Sequence, residues 1–576
     1  MRTEIRRRTI PVFDCAWPAT MHAVLRRVYA ARGIRAADEI NHTLAAMAPP
    51  QTLGGIAAAC ALLATAITQD RRIVVVGDFD CDGATGTAVA VRGLRLLGAR
   101  HVDYRVPNRI LHGYGLTPAL VDTLASLAPD LVVTVDNGIA SHAGVAAAKA
   151  RGMQVLITDH HLPGAQLPDA DAIVNPNLAG DAFPSKALAG VGVMFYLLLA
   201  LRAHLRAAGG FAAGGAEPDL SCLLDLVALG TIADLVPLDF NNRVLVEAGL
   251  RRIRGRRACA GVLALIDVSG REAARLVPAD LGYALGPRIN AAGRLEDMAL
   301  GIECLLTDDA AVARAIAERL STINDERREL QASMVEQGEA AVAHWIAAHD
   351  AALLPLGVTL FDEGWHAGVV GLVASRLKDR LHRPVVACAP AGDGSSEVRA
   401  SARSIRGVHV RDILAEVDVR RPGLIMRFGG HAMAAGLTLE RASVTEFAAE
   451  FDAVIRERVA PELFDPVMLT DGELDGGDFC LDLAYQLRHA GPWGQGFAEP
   501  LFDNLFELAS WSLVGGRHWR LALRLPGLAQ PIAAILFNVD VGSTPPQRLR
   551  AAYQLDVNEW NGRESVQLVV RHLQAE

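Results

Sequence analysis

The 576-residue chain is 51% apolar and carries 56 Lys+Arg against 65 Asp+Glu, a net charge of −9. This composition excludes an intrinsically disordered chain and a globally basic nucleic-acid coat, while leaving room for a local basic groove. At roughly 100–200 residues per domain, it predicts several separately packed units.

Residues 1–70 read as an Ala-rich helical segment with turn signals at Pro49-Pro50 and Gly54-Gly55. Its first residues, Met1 to Arg8, lack the apolar core of a signal sequence. From residue 71 to 308, short apolar runs alternate with helical patterns. Ile73–Val76, Val102–Val106, Leu131–Val135, Val155–Thr158 and Ala172–Val174 are the predicted strands, and 83–97 and 141–151 are predicted helices. Continuous apolar strands interleaved with helices predict a parallel sheet covered on both faces. The uncharged run Ala187–Leu201 is shorter than the ~18–20 residues of a membrane span, and it reads as a buried core helix. A helix from about Leu220 to Leu229 leads into Gly230-Thr231-Ile232-Ala233-Asp234. Residues 309–346 predict a long, solvated connecting helix. Residues 347–460 form a second α/β unit holding Gly364–Gly368, Ser401–Ser404 and Gly429-Gly430-His431. Residues 461–576 carry short strands at 519–525, 532–537, 552–557 and 565–571, the pattern of a small β-barrel. The eight cysteines include no CxxC pair, which points away from a disulfide framework or a thiolate zinc site.

In open α/β sheets the chemistry lies beyond the carboxyl ends of the strands, and here those ends are polar. They lead to Gly77-Asp78-Phe79-Asp80-Cys81-Asp82-Gly83, Pro107-Asn108-Arg109, Asp136-Asn137-Gly138, Asp159-His160-His161 and Asn175-Pro176-Asn177. If the 78–82 segment is extended, Asp78, Asp80 and Asp82 project to one side. Carboxylates this close raise one another's pKa unless a cation compensates. With Asp136, His160, His161 and Asp234 they form a mixed Asp/His donor set that suits Mn²⁺, or Mg²⁺, and is large enough for two ions. An EF-hand is the poorer reading, because Val89 occupies the twelfth position and a strand precedes the loop.

These motifs, with the Gly286 to Arg294 segment and Arg427-Phe428-Gly429-Gly430-His431, resemble the DHH phosphoesterase superfamily, named for Asp159-His160-His161. Their order, spacing and overall length are most similar to its branch of 5′→3′ single-strand-specific DNA exonucleases. Many small DHH enzymes have a His two residues before the first Asp. Val76 stands there in this chain, which favours the exonuclease branch.

The resemblance implies a parallel-sheet DHH domain joined by a long helix to a second α/β domain (DHHA1), followed by a C-terminal OB-like barrel. It implies two-metal phosphodiester hydrolysis in DNA repair and recombination. Asp78, Asp80, Asp136, His160, His161 and Asp234 would be the ligands of two Mn²⁺ or Mg²⁺ ions. Asp82 would be a ligand or support one, and Asp159 would orient the adjacent imidazole. Arg109, Arg288, Asn290, Arg294, Ser401, Arg403 and His431 would contact substrate phosphate or DNA. Tyr114, Trp365, Phe428, Trp511, Trp519 and Trp560 are candidate base-stacking residues. Single-stranded DNA is the implied partner, with a single-strand-binding protein and a RecQ-type helicase beside it, in the cytoplasm and away from membranes. The alternative is a DHH hydrolase of short oligonucleotides or cyclic dinucleotides, for which a separate barrel would be superfluous.

Overall fold

The computed structural model describes residues 3–11, 17–108, 113–211, 216–348, 355–392, 394–539 and 542–576. The apolar runs of the first α/β region form strands β1 (Ile73–Val76), β2 (Val102–Arg105), β3 (Leu131–Val135), β4 (Gln154–Thr158) and β5 (Ala172–Val174). Every residue of β1 and β3 is buried, as expected for strands covered on both faces. The sheet is wholly parallel, in the order β2-β1-β3-β4-β5. Strand order therefore reverses between β1 and β3, and ligands gather outside the carboxyl ends at such a switch point.

Helix α1 (Cys81–Leu96) follows β1 directly and is buried along most of its length. It packs against α2 (Gly190–Ala207) and α3 (Leu224–Ala233). By length and composition α2 could cross a membrane. Here Val191, Met194, Leu197 and Leu198 are fully enclosed, so it is the core helix that its uncharged run predicts. The region continues through α4 (Phe240–Arg254), α5 (Ala260–Val268), α6 (Gly286–Leu295) and α7 (Ala299–Leu306).

The 39-residue helix α8 (Ala310–Ala348) corrects one expectation. Its first half is not a solvated connector, because Ala313, Ala317, Leu320 and Ile323 are fully buried. Their spacing of three and four residues forms an apolar stripe, which the small side chains and intervening charges obscure in the sequence. A second difference lies at the amino end, where a short strand, Glu4–Arg7, stands in a segment expected to be helical.

The chain divides into two units, residues 7–324 with 470–576 and residues 1–6 with 325–469, so the division falls inside α8. The second unit holds β6 (Val358–Phe361), β7 (Val385–Pro390), β8 (Glu397–Arg403), β9 (Arg427–Gly430) and β10 (Ala434–Glu440), in the order β9-β10-β8-β7-β6. Only the β6–β7 pair is parallel. The last strands, β11 (Phe502–Val514), β12 (His518–Arg524), β13 (Ile532–Phe537), β14 (Arg548–Trp560) and β15 (Arg563–Ala575), close into a barrel in the order β11-β12-β13-β15-β14. The sequence does not announce β11. Asp503, Asn504 and Glu507 interrupt its apolar pattern, and a register shift between Leu508 and Ser510 breaks its alternation.

Within the first unit, His42 joins the amino-terminal segment to α4. Its Nε2 accepts from Arg243 Nε at 3.2 Å, and the same guanidinium donates to the Leu238 and Glu39 carbonyls. Arg243 also lies over the Phe497 ring at 4.3 Å. Burial, reinforced by the Arg243 and Arg251 cations, pushes the His42 pKa from 6.5 down to about 4. Between these values the unfolded chain binds a proton that the folded chain refuses, so this stabilisation is complete above about pH 6.5 and is lost as pH falls toward 4. His42→Gln, which keeps an acceptor, is expected to flatten the fall of Tm between pH 7 and pH 5. A slope equal to that of the parent chain would refute this origin.

Candidate metal centre

The segment leaving β1 is not extended through Asp82, because helix α1 already begins at Cys81. Asp80 is the N-cap residue, its Oδ1 accepting from the Gly83 N–H at 3.0 Å. Asp82 lies within the first turn and is buried. Its two oxygens accept the N–H groups of Gly190 at 2.6 Å and Val191 at 2.9 Å. These are the first residues of α2, so Asp82 binds the positive end of that helix. The shared side expected for the three carboxylates is replaced by a cap, a buried brace and a loop residue, all still at the mouth of the β1–β3 switch point.

Asp136 follows β3 with a φ of 62°, a left-handed backbone that costs a non-glycine residue about 1–3 kcal/mol. Asn137 anchors this bend by donating to the carbonyls of Val76 and Val135, at the ends of β1 and β3. The bend brings Asp136 Oδ1 to 3.0 Å from His160 Nε2 and 3.9 Å from His161 Nδ1. Asp234, the residue that caps α3, contributes Oδ2 at 3.5 Å from the same His160 nitrogen. Asp82 Oδ2 lies 4.0 Å from it.

Asp159 is buried and acts as the template for the two histidines. Its Oδ1 accepts the backbone N–H groups of His160 and His161 and lies 2.7 Å from His161 Nδ1, while Oδ2 accepts from Ile139 N–H. The imidazole it orients is thus His161, two residues on, rather than the adjacent one. Asn175 and Asn177 donate to the carbonyls of His161 and His160 and hold the turn from below. The Tyr114 hydroxyl donates to the Asp136 carbonyl at 3.1 Å, and its ring stands edge-on to His161. The sequence offers Tyr114 only as a stacking candidate, since a contact to a backbone carbonyl leaves no residue pattern.

Three donor groups emerge, each with ligand atoms within 4.8 Å of one another: Asp136-His160-His161, Asp82-His160-Asp234 and Asp78-Asp80-Asp136. Asp136 and His160 each belong to two of them. Two carboxylates at that separation repel by about 3 kcal/mol at an effective dielectric constant of about 20. Accordingly the Asp82 pKa is pushed up to about 7, by burial and by Asp80. Asp136 and Asp234 are also driven upward, first by burial and then by Asp82 and Asp80. Asp159 behaves oppositely. Burial works against its charge, but the hydrogen bond and the charge of His161 hold it below the usual carboxylate range. A hard or borderline divalent cation removes the conflict, and a mixed oxygen and imidazole set with a carboxylate behind one imidazole fits Mn²⁺ or Mg²⁺.

The residues expected to contact phosphate fall into separate places. Arg109 lies outside the described residues. Arg288 and Asn290 sit on α6, where Asn290 Oδ1 accepts the Cys81 N–H at 2.8 Å and Arg288 Nε donates to Ser321 Oγ. Asn290 therefore caps α1, a structural task that the sequence does not announce. Arg294 is in the last turn of α6. Gly293 explains the small residues of that motif, since a Cβ there would meet the Phe79 carbonyl oxygen at 2.1 Å. In the second unit, Arg403 Nη1 donates to Ser401 Oγ at 2.7 Å. His431 N–H donates to the carbonyl of Ala434, the register partner of Arg403. Ser401, Arg403 and His431 therefore share one end of that sheet.

The sequence matches the DHH family N-terminal domain over residues 72–231, the DHHA1 domain over 353–457 and the RecJ OB domain over 470–572. It is 50% identical, over 99% of each chain, to the single-stranded-DNA-specific exonuclease RecJ of Dickeya dadantii. The fold is similar to crystal structures of RecJ from Thermus thermophilus. One, in complex with Mn²⁺, gives a TM-score of 0.81 at 30% identity, covering 100% of this chain and 80% of that one. Another, with Mg²⁺, gives 0.75 at 28% identity, covering 100% and 79%.

Two variants separate ligand from support. Asp136→Ala, with an unchanged circular dichroism spectrum, is expected to abolish high-affinity Mn²⁺ binding in isothermal titration calorimetry. Asp159→Asn is expected to weaken it by about 10–100-fold, the usual effect of losing a partner behind a ligand. Retained affinity in Asp136→Ala would remove that residue from the donor set.

Proposed function

The chain belongs to the RecJ family of single-stranded-DNA-specific exonucleases, and from that premise we propose that it is a metal-dependent 5′→3′ exodeoxyribonuclease that releases 5′-mononucleotides in DNA repair and recombination. The observation that carries this reading is the convergence of Asp78, Asp80, Asp136, His160, His161 and Asp234 into overlapping donor groups at the β1–β3 switch point. These six would hold two ions, Mn²⁺ or Mg²⁺. When bound, the ions supply the Lewis acidity that in-line displacement at phosphorus requires.

The chain supplies the positioning. Asp159 fixes the His161 ring, Asn175 and Asn177 fix the turn that carries both histidines, and Tyr114 restrains the strained Asp136 backbone. Asp82 accepts the first N–H groups of α2, so it braces the cluster and adds negative potential, and it shares a donor group with His160 and Asp234. Water attacks the phosphorus between the first and second nucleotides. The bond to the 3′ oxygen of the first nucleotide breaks, and that nucleotide leaves with its own 5′-phosphate. Ser401, Arg403 and His431 contact substrate phosphate in the second unit, and Arg109, Arg288, Asn290 and Arg294 do so in the first, since guanidinium forks match phosphate oxygens. The protein works in the cytoplasm on single-stranded DNA, alongside a single-strand-binding protein and a RecQ-type helicase.

The test is digestion of a 5′-phosphorylated single strand beside its duplex, with Mn²⁺, with Mg²⁺ and with chelator. The expected outcome is 5′-mononucleotides from the single strand only, with turnover abolished by the chelator. Equal attack on the duplex, release from the 3′ end, or activity confined to di- to pentanucleotides would each overturn the assignment.

A further inference from the structure

The densest positive charge in the sequence, Arg251-Arg252-Ile253-Arg254-Gly255-Arg256-Arg257, takes no part in the metal centre. It closes α4 and leads toward α5. Arg252 and Arg257 from this run meet Arg92 and Arg95, from the far end of α1, around a cavity of about 450 Å³. A rise of 1.5 Å per residue puts this end of α1 about 22 Å from Asp80.

The guanidinium groups of Arg92, Arg95 and Arg252 are held in place. Arg95 Nη2 donates to the Val102 carbonyl at 2.9 Å, and Arg252 Nη2 to the Arg257 carbonyl at 2.8 Å. Arg92 donates to the Leu305 and Leu306 carbonyls and to Asp308. Capping the carboxyl end of α7 accounts for Arg92 alone. Among the described residues, no carboxylate lies within 4.0 Å of the guanidinium groups of Arg95, Arg252 or Arg257. The one acidic residue lining the cavity, Asp308, is exposed and already paired with Arg92. Carbonyl partners orient a guanidinium without neutralising it, so the cavity keeps a positive excess in a chain of net charge −9. Cys259, which also lines the cavity, is the N-cap of α5, and its N–H donates to the buried Asp225 carboxylate at 2.7 Å, so the positive end of that helix is already matched and the excess charge rests on the arginines.

We propose that this cavity is a second phosphate-binding site, separate from the metal centre, which takes a nucleotide-sized anion through the guanidinium groups of Arg92, Arg95, Arg252 and Arg257. Its volume lies within the range of small-molecule pockets, about 300–1,000 Å³. The phosphate comes from a free mononucleotide or from the backbone of a nucleic-acid strand. The chemistry is shared, and the experiment separates the sources. The proposal does not depend on the nuclease reading.

Cys222 lines the cavity and is half-buried, so its alkylation rate reports occupancy. The full chain with Mg²⁺ is alkylated in the presence of inorganic phosphate, a 5′-deoxymononucleotide, a circular single strand that offers no end to digest, or chloride at matched ionic strength. Modification of the Cys222 peptide is followed by mass spectrometry. Phosphate and mononucleotide are expected to slow it at least threefold, saturably, relative to chloride, and protection by the circle alone would assign the backbone as the source. Arg252→Ala/Arg257→Ala should abolish protection and leave basal exonuclease activity unchanged, and Arg257→Glu offers a milder second variant. Equal rates in all four conditions with the parent chain would overturn the proposal, as would protection that persists in both variants.

Discussion

Crowded negative charge at the β1–β3 switch point is the constraint around which the first unit is built. Asp78, Asp80 and Asp136 bring ligand atoms within 4.8 Å of one another in a largely buried place, and Asp82 and Asp234 stand beside them. Burial and mutual repulsion push Asp82, Asp136 and Asp234 toward the protonated form. The fold tolerates the conflict because each group is fixed by something other than its neighbours. Asp80 is fixed by the cap of α1, Asp82 by the start of α2, and Asp234 by the end of α3. The positive ends of α1 and α2 face Asp80 and Asp82 and offset part of the cost of holding like charges together, whereas Asp234 stands at the negative end of α3, and a bound divalent cation would convert the remaining repulsion into binding energy.

Close packing keeps that geometry. A Cβ on Gly190 would meet Asp136 Cβ at 2.5 Å, so α2 can begin beside the strained residue only because glycine stands there. Asn290 reaches from α6 to the first N–H of α1, and Gly293 lets α6 lie against the Phe79 carbonyl. The Gly286 to Arg294 motif is thereby a clamp on the loop that carries Asp78 and Asp80. Its small residues follow from steric need, and its arginines lie on a helix already fastened to that loop.

The parallel sheet was legible because its central strands are buried apolar runs, and the site because polar residues follow all five strands. Asp136, His160 and Asp234 are far apart in sequence, yet each sits at the end of a readable element, which is why they could be grouped. What escaped reading has a common character. The burial of Asp82, the cap made by Asn290 and the hydroxyl contact of Tyr114 all depend on backbone N–H and carbonyl partners, and those have no sequence signature. The hidden face of α8 escaped because alanines bury without looking like a core. Strand β11 escaped because Asp503 and Asn504 sit in its interior.

Asp503 ties the amino-terminal segment to the barrel. Its buried carboxylate receives Arg7, Arg550 and Thr470 together, at 3.0, 2.6 and 2.5 Å. Nearby, Asp471 takes a two-pronged contact from Arg32 and accepts the Leu501 N–H. A buried pair such as Arg32–Asp471 contributes little net stability, but losing one partner of it costs about 3–5 kcal/mol, and the half-exposed Arg7 counts for less. They therefore select one docking arrangement more than they strengthen it. The amino-terminal residues supply Arg7 and Arg32, and both acids belong to the approach and first strand of the barrel. A segment that reads as an unremarkable Ala-rich leader is thus the part that ties the barrel in place, and arginine suits the task because its rigid fork fixes direction as well as charge.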